Sequence, residues 1–318
     1  MSSDVTRKLL EKLGYPGLLN LLAEGLSGAE LNTLLLDVFR NKAKATSPSA
    51  LLRKYQHNRF VKPADLPVLE LKKAELELLT LFKDHQFDPI DLSPVSVLGS
   101  CSVVALADQN KNLSALRGTE VLADATNAIA LHICDLKKSK LWLPEFPSQK
   151  LRFSTIQRHV RTQSIMGAGF TPHFKIGAFV TSGLDTGSFT FEKESLLGQI
   201  QLLYAIYKDY YGVNEISFRL LCRNGYADPP RLAREVRDYI LHHSPQLDIE
   251  IIENPEKETN YYTGLQYKTH IQWNNNIFEI ADGGFVNWTQ QMLQNKKERF
   301  LIGGIGFEFM YRIMNGML

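Results

Sequence analysis

The sequence predicts an α+β fold: an antiparallel sheet flanked by helices, with a small helical extension in front of it. Three observations carry this. Apolar residues recur at helical spacing over several separate stretches. Between them lie runs rich in β-branched and aromatic residues. Two of these runs are divided only by the asparagine cluster in THIQWNNNIFEI, the mark of a hairpin. Helices bunch between the strands instead of alternating with them one for one, which argues against a regular parallel sheet.

Residues 1–65 read as the helical extension and 66–318 as the core. Leu31, Leu34, Leu35 and Val38 share one helix face after the Ser27-Gly28 turn. TSPSALLRKY follows as a second helix, with Ser47 or Ser49 as its N-cap. Phe60 to Pro67 carries two prolines and reads as a linker. Leu69 to Asp84 is a strong amphipathic helix, with Leu71, Leu78, Leu79 and Phe82 inward. Strands are expected at CSVVALAD, HFKIGAFVTSG, EISFRLLC, QLDIEIIE, LQYKTHIQW and NIFEIAD. Glu192 to Tyr211 and Pro229 to His243 supply two further helices.

The 318-residue chain is 44% hydrophobic and 22% charged, enough to bury an extensive core. Thirty-six basic against 34 acidic residues leave a net charge of +2, which is no nucleic-acid footprint and leaves nucleic acid open as a partner. Cys101, Cys134 and Cys222 are widely spaced, and the eight histidines are scattered. No metal-ligand spacing results, and the cysteines read as buried, reduced thiols. The first residues lack a signal-peptide apolar run, and no stretch has the ~20 apolar residues of a membrane span. A cytoplasmic protein is expected, without a membrane partner.

Walker, GxSxG and HExxH motifs are absent. The informative elements come as an ordered series. A helix, an extended stretch and Pro94 are followed by ALRGTE (Ala115 to Glu120) and QRHVRTQ (Gln157 to Gln163). A loop with Gly167 and Gly169 leads to His173-Phe174. NYYTG (Asn260 to Gly264), DGGF (Asp282 to Phe285) and GGIGFEF (Gly303 to Phe309) complete it. In this order they resemble the motifs of class II aminoacyl-tRNA synthetases. The closest likeness is to the histidyl enzyme, with its LRPEGT, FRxERPQ, YYTG and GGRYD segments.

The resemblance implies a pocket in which Arg158, the catalytic candidate, holds a carboxylate or phosphate. Glu120 would hold an amino group, with Arg117, Arg161, Gln163, Tyr261, Tyr262 and Glu308 as further ligand contacts. It also implies a homodimer through the segment ending at Pro94. The departures bear on function. Val160 stands where motif 2 has a glutamate, and Phe309 where motif 3 has an arginine. Lys257 and Asn260 replace an arginine and an aspartate, and Phe285, Val286 and Asn287 replace Arg-Tyr-Asp. Phenylalanine cannot pair with phosphate, and lysine lacks the bidentate fork of arginine.

Leu318 directly follows the motif 3 helix, so no anticodon-binding domain is expected, and the segment from Cys222 to Tyr261 leaves no room for an insertion domain. This layout is similar to that of the regulatory subunit of ATP phosphoribosyltransferase, a histidyl-synthetase paralogue. The reading is a non-canonical paralogue that binds a small amino-acid-like ligand in a regulatory or interaction role. The alternative is an ATP-dependent adenylate-forming ligase, with Arg158, Arg161, Arg312 or Lys257 covering for the missing arginine. Its cofactor would be ATP with Mg; for the first reading the cofactor stays unknown. A scaffold with a vestigial pocket is the third.

Overall fold

The computed structural model describes residues 4–163, 171–257 and 259–317. Helices α1 (Asp4–Leu13), α2 (Leu18–Glu24), α3 (Gly28–Lys44) and α4 (Pro48–His57) come first. Local chemistry starts two of them. The Ser27 hydroxyl accepts from the Glu30 amide while the Glu30 carboxylate accepts from the Ser27 amide, a reciprocal capping box. Ser47 caps α4 ahead of Pro48, whose fixed φ suits a first helical turn. No residue of these four helices is buried. Polar joints tie this region to the core: Asn32 Oδ1 of α3 accepts from the Arg117 amide (2.7 Å), and the guanidinium of Arg59, just after α4, donates to the Thr162 carbonyl.

The core opens with α5 (Val68–Asp84), which buries Leu71, Ala74, Leu78 and Phe82, one residue per turn on a single face. Next come β1 (Asp88–Pro89), β2 (Val95–Val97), β3 (Ser114–Ala115), β4 (Thr119–Val121) and α6 (Ala125–Lys138). The long hairpin of β5 (Leu151–Val160) and β6 (His173–Leu184) leads to α7 (Thr190–Tyr204), β7 (Glu215–Cys222), α8 (Pro229–His243) and β8 (Asp248–Ile252). β9 (Leu265–Trp273), β10 (Asn276–Val286), α9 (Trp288–Leu293), β11 (Glu298–Ile305) and α10 (Phe307–Met314) close the chain.

Eight strands form one sheet in the order β1-β5-β6-β11-β10-β9-β7-β8. The edge pairs β1–β5 and β7–β8 are parallel and every pair between them is antiparallel. β2, β4 and β3 make a separate small sheet. Strand alternation sends side chains to opposite faces. Ile156, Phe179 and Leu301 join α5, α7, α8 and α10 in the main core. Val180, Phe300 and Ile302 join α6 and Trp288 of α9 on the other face, in a smaller cluster.

Two expectations differ from the structure. CSVVALAD is no strand: Ser100–Val104 forms a π-helical turn after Gly99, which takes φ 95°, open to glycine at little cost. The cause is Glu120, whose buried carboxylate accepts from the Gly99 and Cys101 amides (both 3.0 Å) and winds the chain around itself. The helix expected to run to Tyr211 ends its α-helical part at Tyr204 and continues as a wider π-helical turn over Ala205–Tyr210. No helix among the described residues is long and apolar enough to cross a membrane.

Leu78 is fully buried against the sheet while Leu76 is 67% exposed. Leu78→Ala should cost about 2–5 kcal/mol in urea unfolding and Leu76→Ala less than ~0.5 kcal/mol, so equal losses would contradict this packing.

Candidate functional site

On the face opposite the main core, α6 does not cover the whole sheet, and two adjoining cavities open there. The first, about 370 Å³, has Ile176, Ala178, Ile302 and Gly304 as its floor and Glu308 and Phe309 at the start of α10 along one side. The second, about 520 Å³, lies between Cys101 and Asn127 on one side and Arg223 and Lys257 on the other. Both volumes suit a small molecule. Asp124, Arg161, Tyr261, Tyr262 and Asp282 line both cavities and form their common wall.

That wall is built from carboxylates clamped by tyrosines. Asp124 caps α6, its Oδ1 accepting from the Thr126 amide (2.9 Å) and hydroxyl (2.7 Å). The Tyr261 hydroxyl donates to its Oδ2 at 2.7 Å. The Tyr262 hydroxyl donates to Asp282 Oδ2 at 3.1 Å, and Gln266 Nε2 to Asp282 Oδ1 at 2.8 Å. Behind Gln266, Arg223 Nε and Nη2 donate to its Oε1 at 2.9 and 2.6 Å, and Arg223 Nη1 donates to the Lys257 carbonyl. The tyrosine rings meet edge to face, centroids 4.8 Å apart, and Tyr261 packs the same way on Trp288 at 5.4 Å.

The two carboxylates differ electrostatically. Burial alone would raise the Asp124 carboxyl, but the Arg161 charge and the Thr126 and Tyr261 hydrogen bonds outweigh it and hold it below the usual range. Asp282 moves the other way: burial raises it, and the bonds from Gln266 and Tyr262 only partly offset that. Lys268, its cross-strand neighbour, is turned to Glu279, donating to both carboxylate oxygens at 2.9 and 2.8 Å. Burial, then the adjacent carboxylate, push both tyrosine hydroxyls well above their ordinary range, so they remain donors.

The structure brings together some of the residues expected from sequence and separates others. Arg161, Tyr261 and Tyr262 line both cavities, Gln163 the second and Glu308 the first. Arg161 Nε is held by the Ala123 carbonyl at 3.1 Å, and its guanidinium lies 5.5 Å from the Phe174 ring centroid. Arg158, the catalytic candidate from sequence, lines neither cavity. The two-residue period of β5 places it with Ile156 on the main-core face. There it pairs with Glu308 Oε2 at 3.1 Å and donates to His173 Nδ1 at 2.9 Å. His173 Nε2 donates in turn to the Lys62 carbonyl (2.6 Å), fixing the tautomer.

Glu120 and Arg117 also lie outside both cavities. The Glu120 carboxylate is 0% exposed and taken up by Gly99, Cys101 and Gln109, the last at 2.8 Å. Arg117 is exposed, with φ 65°, and its amide joins α3 to the core. Arg312 lines neither cavity; its Nη2 donates to the Asp65 carbonyl at 3.1 Å. Gly167 and Gly169 lie outside the described residues.

His159, Asp124, Asp282, Asn127 and Arg223 were not anticipated. Alternation along QRHVR would have indicated His159 and Arg161 together, and Asp124 before an apolar-periodic run is an N-cap signature. His159 Nε2 accepts from the Ala125 amide at 2.9 Å, and its ring packs on Phe174. Cys101 and Cys134 are buried, their thiols pushed up to about 12 and about 11 by desolvation, which makes them poor nucleophiles.

No protein-family model and no curated protein sequence matches the chain. Solved structures do. A Bacillus halodurans protein described as an ATP phosphoribosyltransferase regulatory subunit/histidyl-tRNA synthetase superposes with TM-score 0.62 at 12% identity, over 81% of this chain and 83% of that one. The apo histidyl-tRNA synthetase of S. aureus gives 0.59 at 12% identity, over 80% and 68%. A histidine–tRNA ligase subunit from Alicyclobacillus acidocaldarius gives 0.57 at 12%, over 81% and 96%. The chain has a class II synthetase-like core of the α+β class. Within that class its fold is similar to that of the histidyl-tRNA synthetases and the regulatory paralogue, and at this identity the likeness concerns the fold alone.

Burial depresses the imidazolium of His159 to about 4. The neutral ring is therefore favoured in the folded state, and its contribution is full above pH 6.5 and lost as pH falls from 6.5 through 4. His159→Gln offers an acceptor to Ala125 without titrating. Urea unfolding at pH 7 and pH 4.5 should show the wild type losing on the order of 2–3 kcal/mol more than the variant. Parallel losses would place the acid sensitivity elsewhere.

Proposed function

We propose that this chain is a histidyl-tRNA-synthetase-like paralogue that binds a small amino-acid-like ligand across the two cavities and acts in regulation or interaction. The observation that supports this best is the division of charge around the shared wall. Asp124, Asp282 and Arg161 line both cavities; the first adds Glu308 and Lys175 and the second Lys111, Arg223 and Lys257, while Glu279 and Lys268 are paired with each other, so the second cavity is the more basic. A zwitterion has its two ends matched by such a division, with the ammonium toward the wall carboxylates and the carboxylate toward the basic cavity. Arg161, Gln163, Tyr261 and Tyr262 are the contacts assigned to it.

The ATP-dependent ligase is the weaker reading. A nucleoside triphosphate is a polyanion, and the cavity beside α10 presents carboxylates with Phe309 at the motif 3 arginine position. Arg158 lies outside that cavity, already paired with Glu308 at its edge. A small ligand at ~100 times its dissociation constant adds about 2.7 kcal/mol to stability. Thermal unfolding with each amino acid, with and without Mg-ATP, should show a shift with an amino acid alone, and Arg161→Ala should remove it. A shift that requires Mg-ATP, together with pyrophosphate exchange, would favour the ligase instead.

The same reading includes a homodimer through the segment ending at Pro94, which leads directly into an exposed apolar patch. Val97 and Leu98 on and beside β2 are 64% and 49% exposed, and Val103 and Leu106 close by are 72% and 66% exposed. Sedimentation at micromolar concentration should give a dimer that Val97→Asp converts to monomer; a wild-type monomer at that concentration would refute the interface.

A further inference from the structure

We propose that Asp282 is the acceptor for the ligand's ammonium group, the role that the motif resemblance gives to Glu120. The inference rests on the ligand-binding reading above and names the residue that selects an amine over a neutral or anionic group.

Glu120 is unavailable for that role. Its carboxylate lies outside both cavities and is consumed by two backbone amides and Gln109. Asp282 stands on the sheet floor where the cavities meet. Its oxygens are oriented by two neutral donors, Tyr262 and Gln266, and no cationic side chain among the described residues forms an ion pair with it. Lys268, the nearest cross-strand cation, is committed to Glu279 at 2.8 Å. Each carboxylate oxygen keeps a second lone pair for a further donor.

A second observation comes from a different element. Asn127, on α6, is 1% exposed and lines the second cavity. Its Nδ2 is spent on Cys101 Sγ at 3.2 Å, and its Oδ1 has no hydrogen-bond partner among the described residues. A buried acceptor left without a donor is costly. Asp282 and Asn127 Oδ1 therefore call for a donor at this end of the ligand, while Asn112 Nδ2 and His159 Nδ1, also without partners among the described residues, leave donors for its other groups. An alkylammonium has three donors and no acceptor. A hard metal ion would need six or more oxygen ligands, more than one carboxylate and one amide provide.

The test uses the full chain and Asp282→Asn, with the twenty amino acids as first probes. For each amino acid that binds, the matching des-amino acid and decarboxylated amine are added. Asparagine keeps the shape, and its amide can donate to the Tyr262 hydroxyl while accepting from Gln266. Asp282→Asn is expected to weaken the amino acid and the amine at least tenfold, or ~1.4 kcal/mol, and to leave the des-amino acid within about twofold. Ligand-free Asp282→Asn is expected to unfold at the wild-type temperature or above it, because an ionised carboxylate without a cation is removed from a half-buried wall. A lower unfolding temperature would make Asp282 a structural acceptor and overturn the proposal. So would equal weakening of all three probe types, or none. If amino acids bind and the variant is indifferent, this proposal fails alone. If no amino acid or amine stabilises the wild type, the ligand-binding reading fails and takes this proposal with it.

Discussion

A twisted sheet has two faces, and every second residue of each strand is committed to one of them. In this protein four helices, α5, α7, α8 and α10, take one face completely, so Ile156, Phe179, Tyr267 and Leu301 sit in a dry core. The other face has only α6 and the short α9. Where that cover stops, the floor of β6, β10 and β11 is open, and the site exists because of that shortfall. The glycines of the floor serve the closed side as much as the open one. A Cβ on Gly303 would lie 2.2 Å from the Tyr267 hydroxyl oxygen, so that position is glycine to let the core close.

This division of faces sorts the charged residues into two kinds. Toward the closed face, charges come in finished pairs: Arg158 with Glu308 and Lys175 with Glu75 are bonded within the described residues, Glu308 and Lys175 bordering the first cavity as well. The two carboxylates of the wall between the cavities, Asp124 and Asp282, are instead held by neutral donors: tyrosine hydroxyls, the Thr126 amide and hydroxyl, and a glutamine amide. A neutral clamp orients a carboxylate without cancelling its charge, which leaves the charge available to a ligand. Asp124 is an intermediate case, since Arg161 faces it at a distance that lowers its carboxyl without a bonded ion pair.

Much of the fold is legible in the sequence. Helix α5 shows its buried face as a plain heptad-like stripe, α8 begins at Asp228-Pro229, and the β9–β10 hairpin is announced by Asn274 to Asn276. The missed pieces are those where a tertiary bond overrides local preference. CSVVALAD has strand composition, yet Glu120, nineteen residues after Cys101, draws its amides into a π-helical turn. The site is less legible for a similar reason. Motif order places Tyr261, Tyr262, Arg161 and Gln163 near one another, since order encodes the path of the backbone. It does not encode which face a strand residue takes, and a shift of one residue along β5 exchanges Arg158 for His159 and Arg161.

Glu120 shows how one carboxylate's commitment limits what a site can hold. A carboxylate at that corner can serve a ligand or serve the loop, since its lone pairs satisfy only one set of donors. Here it serves the loop, and the reward is structural: three donors satisfied, the Ser100–Val104 turn fixed, and Cys101 and Asn127 set into the cavity wall. On the proposed reading, an anionic group facing the ligand comes from another strand. β10 supplies Asp282 within the DGGF segment, held by Tyr262 and Gln266, beyond the reach of the closed-face cations. The apolar Phe309 and the carboxylate of Asp282 act in the same direction, since each makes the open floor less hospitable to phosphate, and Asp282 makes it more so to an amine. Fold and chemistry thus separate cleanly: the packing of the closed face conserves the architecture, and the few side chains of the open face decide what it can hold.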